Sequence, residues 1–240
     1  IELTRPPPWD ETCIAPRRLA DHDHAGLNVM LDEDFRVSFS IETLAQATYK
    51  YAKTTGRYNP VTDYLSSLVW DGKERLGKWL VTYAGAEDVL INHYFGARWM
   101  IGAVARAFEP GCQMDTMLVF QGNQGTYKST TLGILFGEFF SDQFPTAGND
   151  SAGNDIQGSW CIEAAELESF KRAEVTAIKA FLTRRVDKYR SAYAREYVHR
   201  PRRCVFAGTT NDDAFLRDTS GNRRFWPVTT GKIDREAVRR

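Results

Sequence analysis

A glycine-rich loop that carries a lysine and a serine offers the clearest chemistry in this chain. Residues 121–130 read Gln-Gly-Asn-Gln-Gly-Thr-Tyr-Lys-Ser-Thr, between the apolar run 117–120 and the helix-like run 131–136. In the order strand, loop and helix, backbone N–H groups and the helix dipole can cradle phosphate groups. The sequence therefore predicts a phosphate-binding loop.

The residue types in this loop fit Mg²⁺-ATP. Lys128 would reach the β- and γ-phosphates, and the Ser129 hydroxyl would ligate Mg²⁺. The predicted cofactor-binding residues are those of the loop and the first helical turn: Gly122, Asn123, Gln124, Gly125, Thr126, Tyr127, Lys128, Ser129 and Thr130.

Tyr127 departs from the usual pattern, in which a glycine precedes the lysine. Glycine is used where the backbone must approach a ligand closely. We expect the backbone of Tyr127 to keep near-helical values and its ring to turn away from the phosphates.

Two carboxylates accompany the next predicted strand, residues 160–164. Glu166 would lie just past the strand end, within reach of Mg²⁺ or of the attacking water, and is the preferred catalytic acid and metal ligand. Glu163 lies within the strand and is the second candidate. Because a carboxylate in a buried strand usually has a partner, one of the two could instead pair with a basic residue.

Polar and basic residues follow the third predicted strand, residues 203–208. Asn211 could orient the attacking water beside the γ-phosphate, or it could simply belong to a turn. Arg223 and Arg224 lie in the segment 221–227 and could supply an arginine finger, a role that suits the permanent charge and forked donors of arginine. The alternative is a surface turn of paired charges.

Residues 171–203 are strongly basic, with eleven Lys and Arg against three Asp and Glu. Basic side chains that follow a nucleic-acid backbone, with aromatic rings for base stacking, are typical of single-stranded DNA binding. The segment 188–198 could form a hairpin. The candidate DNA-binding residues are Lys188, Tyr189, Arg190, Tyr193 and Arg195. The alternative is a solvated basic face.

The order of elements predicts how these residues are brought together. Residues 1–39 read as irregular, and helical patterns then continue to about residue 110. Beyond that point, short apolar strands alternate with helices, including 128–136 and 172–182. This pattern predicts an α/β fold with a parallel sheet. We expect a mainly helical region over 1–110 and a P-loop ATPase core over 111–240, cut short at its C-terminal end.

Composition narrows the class of protein. Hydrophobic residues make up 42% and charged residues 26%, as in ordinary globular proteins, and the net charge is zero. No apolar run reaches the roughly 18 residues of a membrane span, so we expect no membrane partner. The four cysteines are widely separated, which favours reduced thiols in a cytoplasmic protein.

The motifs in this order resemble those of the virulence-associated E (VapE) family of phage and genomic-island replication proteins. The resemblance covers residues from about 40 to the end. The matching segments are 59–65, 70–72, 99–106, 122–125, 163–167, 186–190, 208–211 and 221–227.

The resemblance implies a ring-forming ATPase similar to superfamily 3 helicases of the AAA+ type. By that resemblance Asn211 is a sensor, Arg223 or Arg224 is a finger, and the segment 188–198 touches DNA in a central channel. The leading hypothesis is an ATP-dependent DNA helicase that acts on single-stranded DNA as a homo-oligomeric, hexameric ring. Two alternatives stay open: a nucleic-acid-binding module with a degenerate nucleotide site, and a regulatory protein that uses nucleotide only to control assembly.

Overall fold

The computed structural model describes residues 2–3, 5–15, 17–55, 58–146, 152–190, 197–212 and 222–239. The chain divides into two compact units, residues 1–60 and residues 61–240. Residues 61–110, which the sequence groups with the helical N-terminal region, therefore belong to the same compact unit as the sheet.

The first unit contains a short strand pair and two helices. Strands β1 and β2 are antiparallel. The bounds are β1 Glu2–Leu3, β2 Arg17–Arg18, α1 Asp21–Phe35 and α2 Ile41–Thr55. The prediction that residues 1–39 are irregular was wrong, because α1 forms there. The buried Asp23 accepts a hydrogen bond from the backbone N–H of Ala20, which secures the first turn of that helix.

The second unit holds the remaining elements. In chain order they are α3 Pro60–Ser67, α4 Trp79–Ala84, α5 Leu90–Phe108, β3 Met117–Gln121, α6 Lys128–Phe136, β4 Phe140–Ser141, α7 Ala152–Asp155, β5 Cys161–Ala164, α8 Arg172–Leu182, β6 Val186–Tyr189, β7 Val198–Pro201, β8 Val205–Thr210, β9 Phe225–Thr229 and α9 Arg235–Arg239.

Five strands form one parallel sheet in the order β4-β5-β8-β3-β9. The predicted α/β fold with a parallel sheet and a helical N-terminal region is thus confirmed. From β3 the chain crosses to the far edge at β4, returns through β5 and β8, and then passes β3 to reach β9. The connection after β3 runs to one side of that strand and the connection after β8 runs to its other side, and ligands of open α/β sheets bind at such a switch point.

Both faces of this sheet are covered by apolar residues. One face packs with α4, α5 and α6, where the Trp99 indole donates to the backbone oxygen of Phe206 at 2.9 Å. The Trp160 indole likewise donates to the backbone oxygen of Ala103 at 2.8 Å. The other face packs with α7 and α8. Strands covered on both faces in this way consist mainly of apolar residues.

The hairpin that the sequence predicts between α8 and β8 is present as the antiparallel pair β6–β7. Its base is secured by a buried ion pair between Asp187 on β6 and Arg202, which follows β7. Arg202 also donates to the backbone oxygen of Phe181 at 2.6 Å. Residues 191–196, between the two strands, lie outside the described part of the chain.

Candidate functional site

The glycine loop leaves the carboxyl end of β3 and passes closely over the chain that follows β9. Gly122 has φ 155°, and a Cβ atom there would lie 2.9 Å from the Thr230 hydroxyl and 3.1 Å from its backbone oxygen. Gly125 has φ 80°. Glycine fits both positions because it adopts positive φ and lacks a side chain.

Lys128 points into the loop. Its ammonium group donates to the backbone oxygens of Gly122 at 2.6 Å and Asn123 at 2.9 Å, and to Asn211 Oδ1 at 3.0 Å. Burial lowers the pKa of Lys128, although the negative charges of Glu168 and Glu163 oppose that shift. The lysine is thus held beside the loop by acceptors that an incoming phosphate could replace.

The buried Glu163 meets the loop serine. Its Oε1 accepts hydrogen bonds from the Ser129 hydroxyl at 2.6 Å and the Thr209 hydroxyl at 2.7 Å. Only 1% of Glu163 is exposed. The loop strand and β5 are separated by β8, and Thr209 on β8 bridges that gap. The arrangement therefore places a carboxylate directly against the predicted Mg²⁺ ligand Ser129.

Glu166, the preferred catalytic acid, lies outside the strand that contains Glu163. It lies two residues past the end of β5, as the sequence predicts, and it is exposed. Its backbone is left-handed at φ 53°, ψ 50°. Leu167 then packs so closely on Gly208 that a Cβ atom there would lie 2.6 Å from Leu167 Cδ1. This turn redirects the chain, so that the carboxylate facing Asn211 belongs to Glu168.

Glu168 is a functional candidate that the sequence does not reveal. Its Oε1 accepts from the backbone N–H of Asn211 at 3.2 Å and from Asn211 Nδ2 at 3.0 Å. Burial raises the pKa of Glu168, but hydrogen bonds from Thr210 and Asn211 outweigh that effect and leave the pKa below its usual value. Its Oε2 is buried and has no hydrogen-bond partner among the described residues.

The backbone conformation of Tyr127 differs from the one expected. Its backbone is left-handed, at φ 65° and ψ 27°, so the prediction of near-helical values was wrong. The reason is that the loop requires at this position the conformation that glycine usually supplies. The ring contacts Arg235, whose guanidinium carbon lies 3.9 Å from the ring centroid.

Arg223 and Arg224 lie at the opposite end of the sheet from the loop. They form a short 3₁₀ turn immediately before β9, and Phe225 pairs with Met117 while Thr229 pairs with Gln121. The five-residue strand separates them from the loop of the same chain by about 16 Å. Arg223 is exposed, and Arg224 Nε is buried without a hydrogen-bond partner among the described residues.

The hairpin residues divide into exposed and buried sets. Lys188 and Arg190 are exposed, and the Lys188 ammonium lies 4.5 Å from the centroid of the exposed Tyr197 ring. Tyr189 is only 5% exposed, and its ring packs against Gly153. It therefore does not present a ring for base stacking, contrary to its selection from the sequence. Tyr193 and Arg195 lie outside the described residues.

The groups that could bind a metal ion are few among the described residues. Among the described residues, no group of three His, Cys, Asp or Glu side chains is arranged to hold a metal ion. Mg²⁺ does not need such a cage, because it is commonly bound by one or two protein oxygens together with substrate phosphates and water. Ser129 and Glu163 fit that donor set. Across the described part of the chain, no helix has the length and apolarity that a membrane crossing requires.

Fold and site together define the class: an α/β protein with a Lys-Ser glycine loop and acidic and amide side chains at the carboxyl end of a parallel sheet. The family model described as "Virulence-associated protein E-like domain" matches residues 65–240. The chain belongs to this family.

Solved structures and curated proteins add little further detail. Two structures of the apo A form of the NrS-1 C-terminal region are 17% identical to this chain, with TM-scores of 0.48 and 0.46. Each match covers 69% of this chain and 40% or 39% of the NrS-1 chain. The chain thus spans about two fifths of the length of those structures. Among curated proteins, no sequence matches it.

Proposed function

We propose that this protein is a Mg²⁺-dependent ATPase that assembles into a hexameric ring and acts on single-stranded DNA during phage or mobile-element replication. One observation carries the proposal. The start of α6, β5 and the chain after β8 are far apart in sequence but meet near the carboxyl end of the sheet, where Lys128 donates to Asn211 and Ser129 donates to Glu163. Membership of the virulence-associated E-like family supports the replication role.

These four side chains fit the groups that phosphoryl transfer requires. Lys128 would exchange its backbone acceptors for phosphate oxygens, and Ser129 and Glu163 would hold Mg²⁺, which neutralises charge on the phosphates. The exposed Glu166 would accept a proton from the attacking water, while Asn211, fixed by Glu168, would orient that water. Catalysis of this kind rests mainly on positioning and electrostatic stabilisation.

The test is ATP hydrolysis by the chain with and without single-stranded DNA, together with its mass in solution. We expect hydrolysis that DNA stimulates and that Lys128→Ala abolishes. Lys50→Ala is the matched control, because it removes an exposed lysine that lies outside both the glycine loop and the basic segment 171–203. A Lys128→Ala protein that hydrolyses ATP as fast as the parent would refute the proposal.

A second candidate function is a nucleic-acid-binding module with a degenerate nucleotide site. The left-handed Tyr127 favours it, because a bulky residue occupies a position that suits glycine. DNA binding without ATP binding by the parent protein would select this alternative. Stimulation of ATP turnover by single-stranded DNA would exclude it.

A further inference from the structure

A cavity of about 510 Å³ opens beside the glycine loop. Tyr127 forms one side, and the rest of the lining is Lys232, Ile233, Asp234, Arg235 and Glu236. The cavity is open to solvent, and charged side chains form most of its lining. None of the predicted roles uses the segment 232–236.

The chain that forms the rest of the lining is held in place by backbone hydrogen bonds. Thr230 N–H donates to the oxygen of Gln121 at 2.7 Å, and Gly231 N–H donates to that of Ala84 at 3.1 Å. Asp234 N–H donates to the oxygen of Tyr83 at 3.3 Å. The segment is therefore tied both to the end of the loop strand β3 and to α4.

The Tyr127 ring is held but not covered. The Arg235 guanidinium lies over the ring, while 47% of Tyr127 remains exposed. Asp234 Oδ1 accepts from the backbone N–H groups of Glu236 at 3.1 Å and Ala237 at 3.0 Å, which fixes the start of α9 beside Arg235. A fixed aromatic ring with a cation beside it is suited to stacking with a nucleic-acid base.

We propose that this cavity binds the base and ribose of a nucleoside triphosphate, with the base stacked on Tyr127. The inference rests on the proposed function, since it requires the phosphates of the same molecule to lie in the loop. Tyr127 directly precedes Lys128, so one short segment presents a ring to the base and a cation to the phosphates. Lys232 and Glu236 supply charged groups for the ribose hydroxyls.

This assignment accounts for the aromatic residue at a glycine position. A left-handed backbone is unfavourable for a non-glycine residue, and such residues persist where the surrounding structure fixes them. Contact with Arg235 fixes the ring here. A tyrosine at this position adds affinity for the nucleoside, which a glycine could not.

The test compares a ligand that has a nucleoside with one that has only phosphates. Titration calorimetry in Mg²⁺ measures binding of a non-hydrolysable ATP analogue and of inorganic tripolyphosphate to the parent, Tyr127→Phe, Tyr127→Ala and Lys128→Ala proteins. Phe and Ala both retain a Cβ atom, so the two variants share the left-handed backbone strain and differ in the ring. Thermal unfolding midpoints check that each variant is folded.

We expect Tyr127→Ala to weaken binding of the analogue roughly tenfold, a value within the 1–3 kcal/mol range of base–aromatic stacking. Tyr127→Phe should bind it as the parent does, and tripolyphosphate affinity should be equal in all three. Unchanged analogue binding by Tyr127→Ala, or equal weakening of both ligands, would overturn the nucleoside site.

The same titrations separate this proposal from the ATPase proposal. If the parent binds tripolyphosphate and the analogue equally well, and Lys128→Ala binds neither, the phosphate loop stands and the nucleoside site is wrong. If the parent binds neither ligand, both proposals fail.

Discussion

Glu163 and Glu166 lie three positions apart in sequence and differ in their surroundings. Glu163 is buried and contacts Ser129, whereas Glu166 is exposed past the strand end. Loss of the buried charge should therefore disturb Mg²⁺ binding, and loss of the exposed charge should disturb only proton transfer.

We predict that Glu163→Gln raises the Mg²⁺ concentration needed for half-maximal ATP hydrolysis by at least tenfold, because an amide is a weaker ligand for a hard cation. Glu166→Gln should lower kcat about 10²–10⁴-fold at an unchanged Mg²⁺ requirement, the usual range for general acid–base catalysis. Steady-state rates over a Mg²⁺ titration measure both effects. If the two variants exchange these behaviours, the assigned roles are reversed.

The sequence predicts most members of the site but not the contacts between them. Lys128, Ser129 and Asn211 follow predicted strands, Glu163 lies within one, and the structure brings Lys128 to Asn211 and Ser129 to Glu163. Glu168 was missed because its position depends on the left-handed turn at Glu166, which no pattern in the sequence indicates.

Among the elements, an apolar stripe or a recognisable neighbouring motif is what makes a helix predictable. Helix α8 has such a stripe and α6 follows the glycine loop, and both have the predicted bounds, whereas α1 has neither feature and was missed. Strand β9 was missed because it contains Pro227, yet β9 is an edge strand, where proline is tolerated. The sequence also does not show which residues of the short strand β6 face the interior. Side chains alternate between the two faces of a strand, and in β6 this alternation buries Tyr189.

The start of α1 depends on the charge of Asp23. Hydrogen bonds to Asp23 hold its pKa well below the usual value. Those from Arg17, at 2.6 and 2.7 Å, have the largest effect, and those from Ala20 and Trp9 add to it. A carboxyl group with a lowered pKa stabilises the fold above the pKa of the unfolded chain, about 3.9, and this contribution disappears as the pH falls toward the folded-state pKa.

We predict that hydrogen-exchange protection of α1 amides in the parent falls as the pH drops below about 4. Asp23→Asn should reduce the free energy of local opening by about 2 kcal/mol at neutral pH, the scale of hydrogen bonds to a charged group. It should also flatten the acid dependence below pH 4. Asp21→Asn changes an exposed carboxylate in the same turn; it is the control and should keep that dependence. A parent helix with no acid dependence in this range would contradict the prediction.

The base of the hairpin depends on the buried pair of Asp187 and Arg202. Removing one partner leaves an uncompensated buried charge, so Asp187→Asn should lower the free energy of unfolding by about 3–5 kcal/mol. Replacing both residues, Asp187→Leu with Arg202→Met, should restore much of that loss. Denaturant unfolding measures both.

Lys188→Ala is the contrasting variant, since this lysine lies on the exposed face of β6. It should change stability by less than about 0.5 kcal/mol. It should also weaken single-stranded DNA binding. The slope of log K against log salt concentration should fall by the amount that one phosphate contact contributes. An unchanged salt slope would show that the exposed face of the hairpin does not contact the DNA backbone.

At the scale of the whole molecule, the sheet separates two parts of the proposed catalytic apparatus. The glycine loop lies at the carboxyl end of β3, and Arg223 and Arg224 precede the amino end of its neighbour β9. A rigid, buried sheet cannot bring these ends together. If these arginines stabilise the transition state, they act on nucleotide bound to another subunit, and the active protein must be an oligomer.

This geometry makes a prediction about mixtures of inactive proteins. Lys128→Ala should lack a working loop but retain its arginines, and Arg223→Ala with Arg224→Ala should retain the loop but lack the finger. Each should lose about 10³–10⁵ in hydrolysis rate. In a mixed oligomer, the intact loop of one subunit can meet the intact arginines of its neighbour, so mixing should restore a measurable share of the parent rate. Hydrolysis that stays at the level of the separate variants, although mass measurements show mixed oligomers, would place the arginines outside the catalytic site.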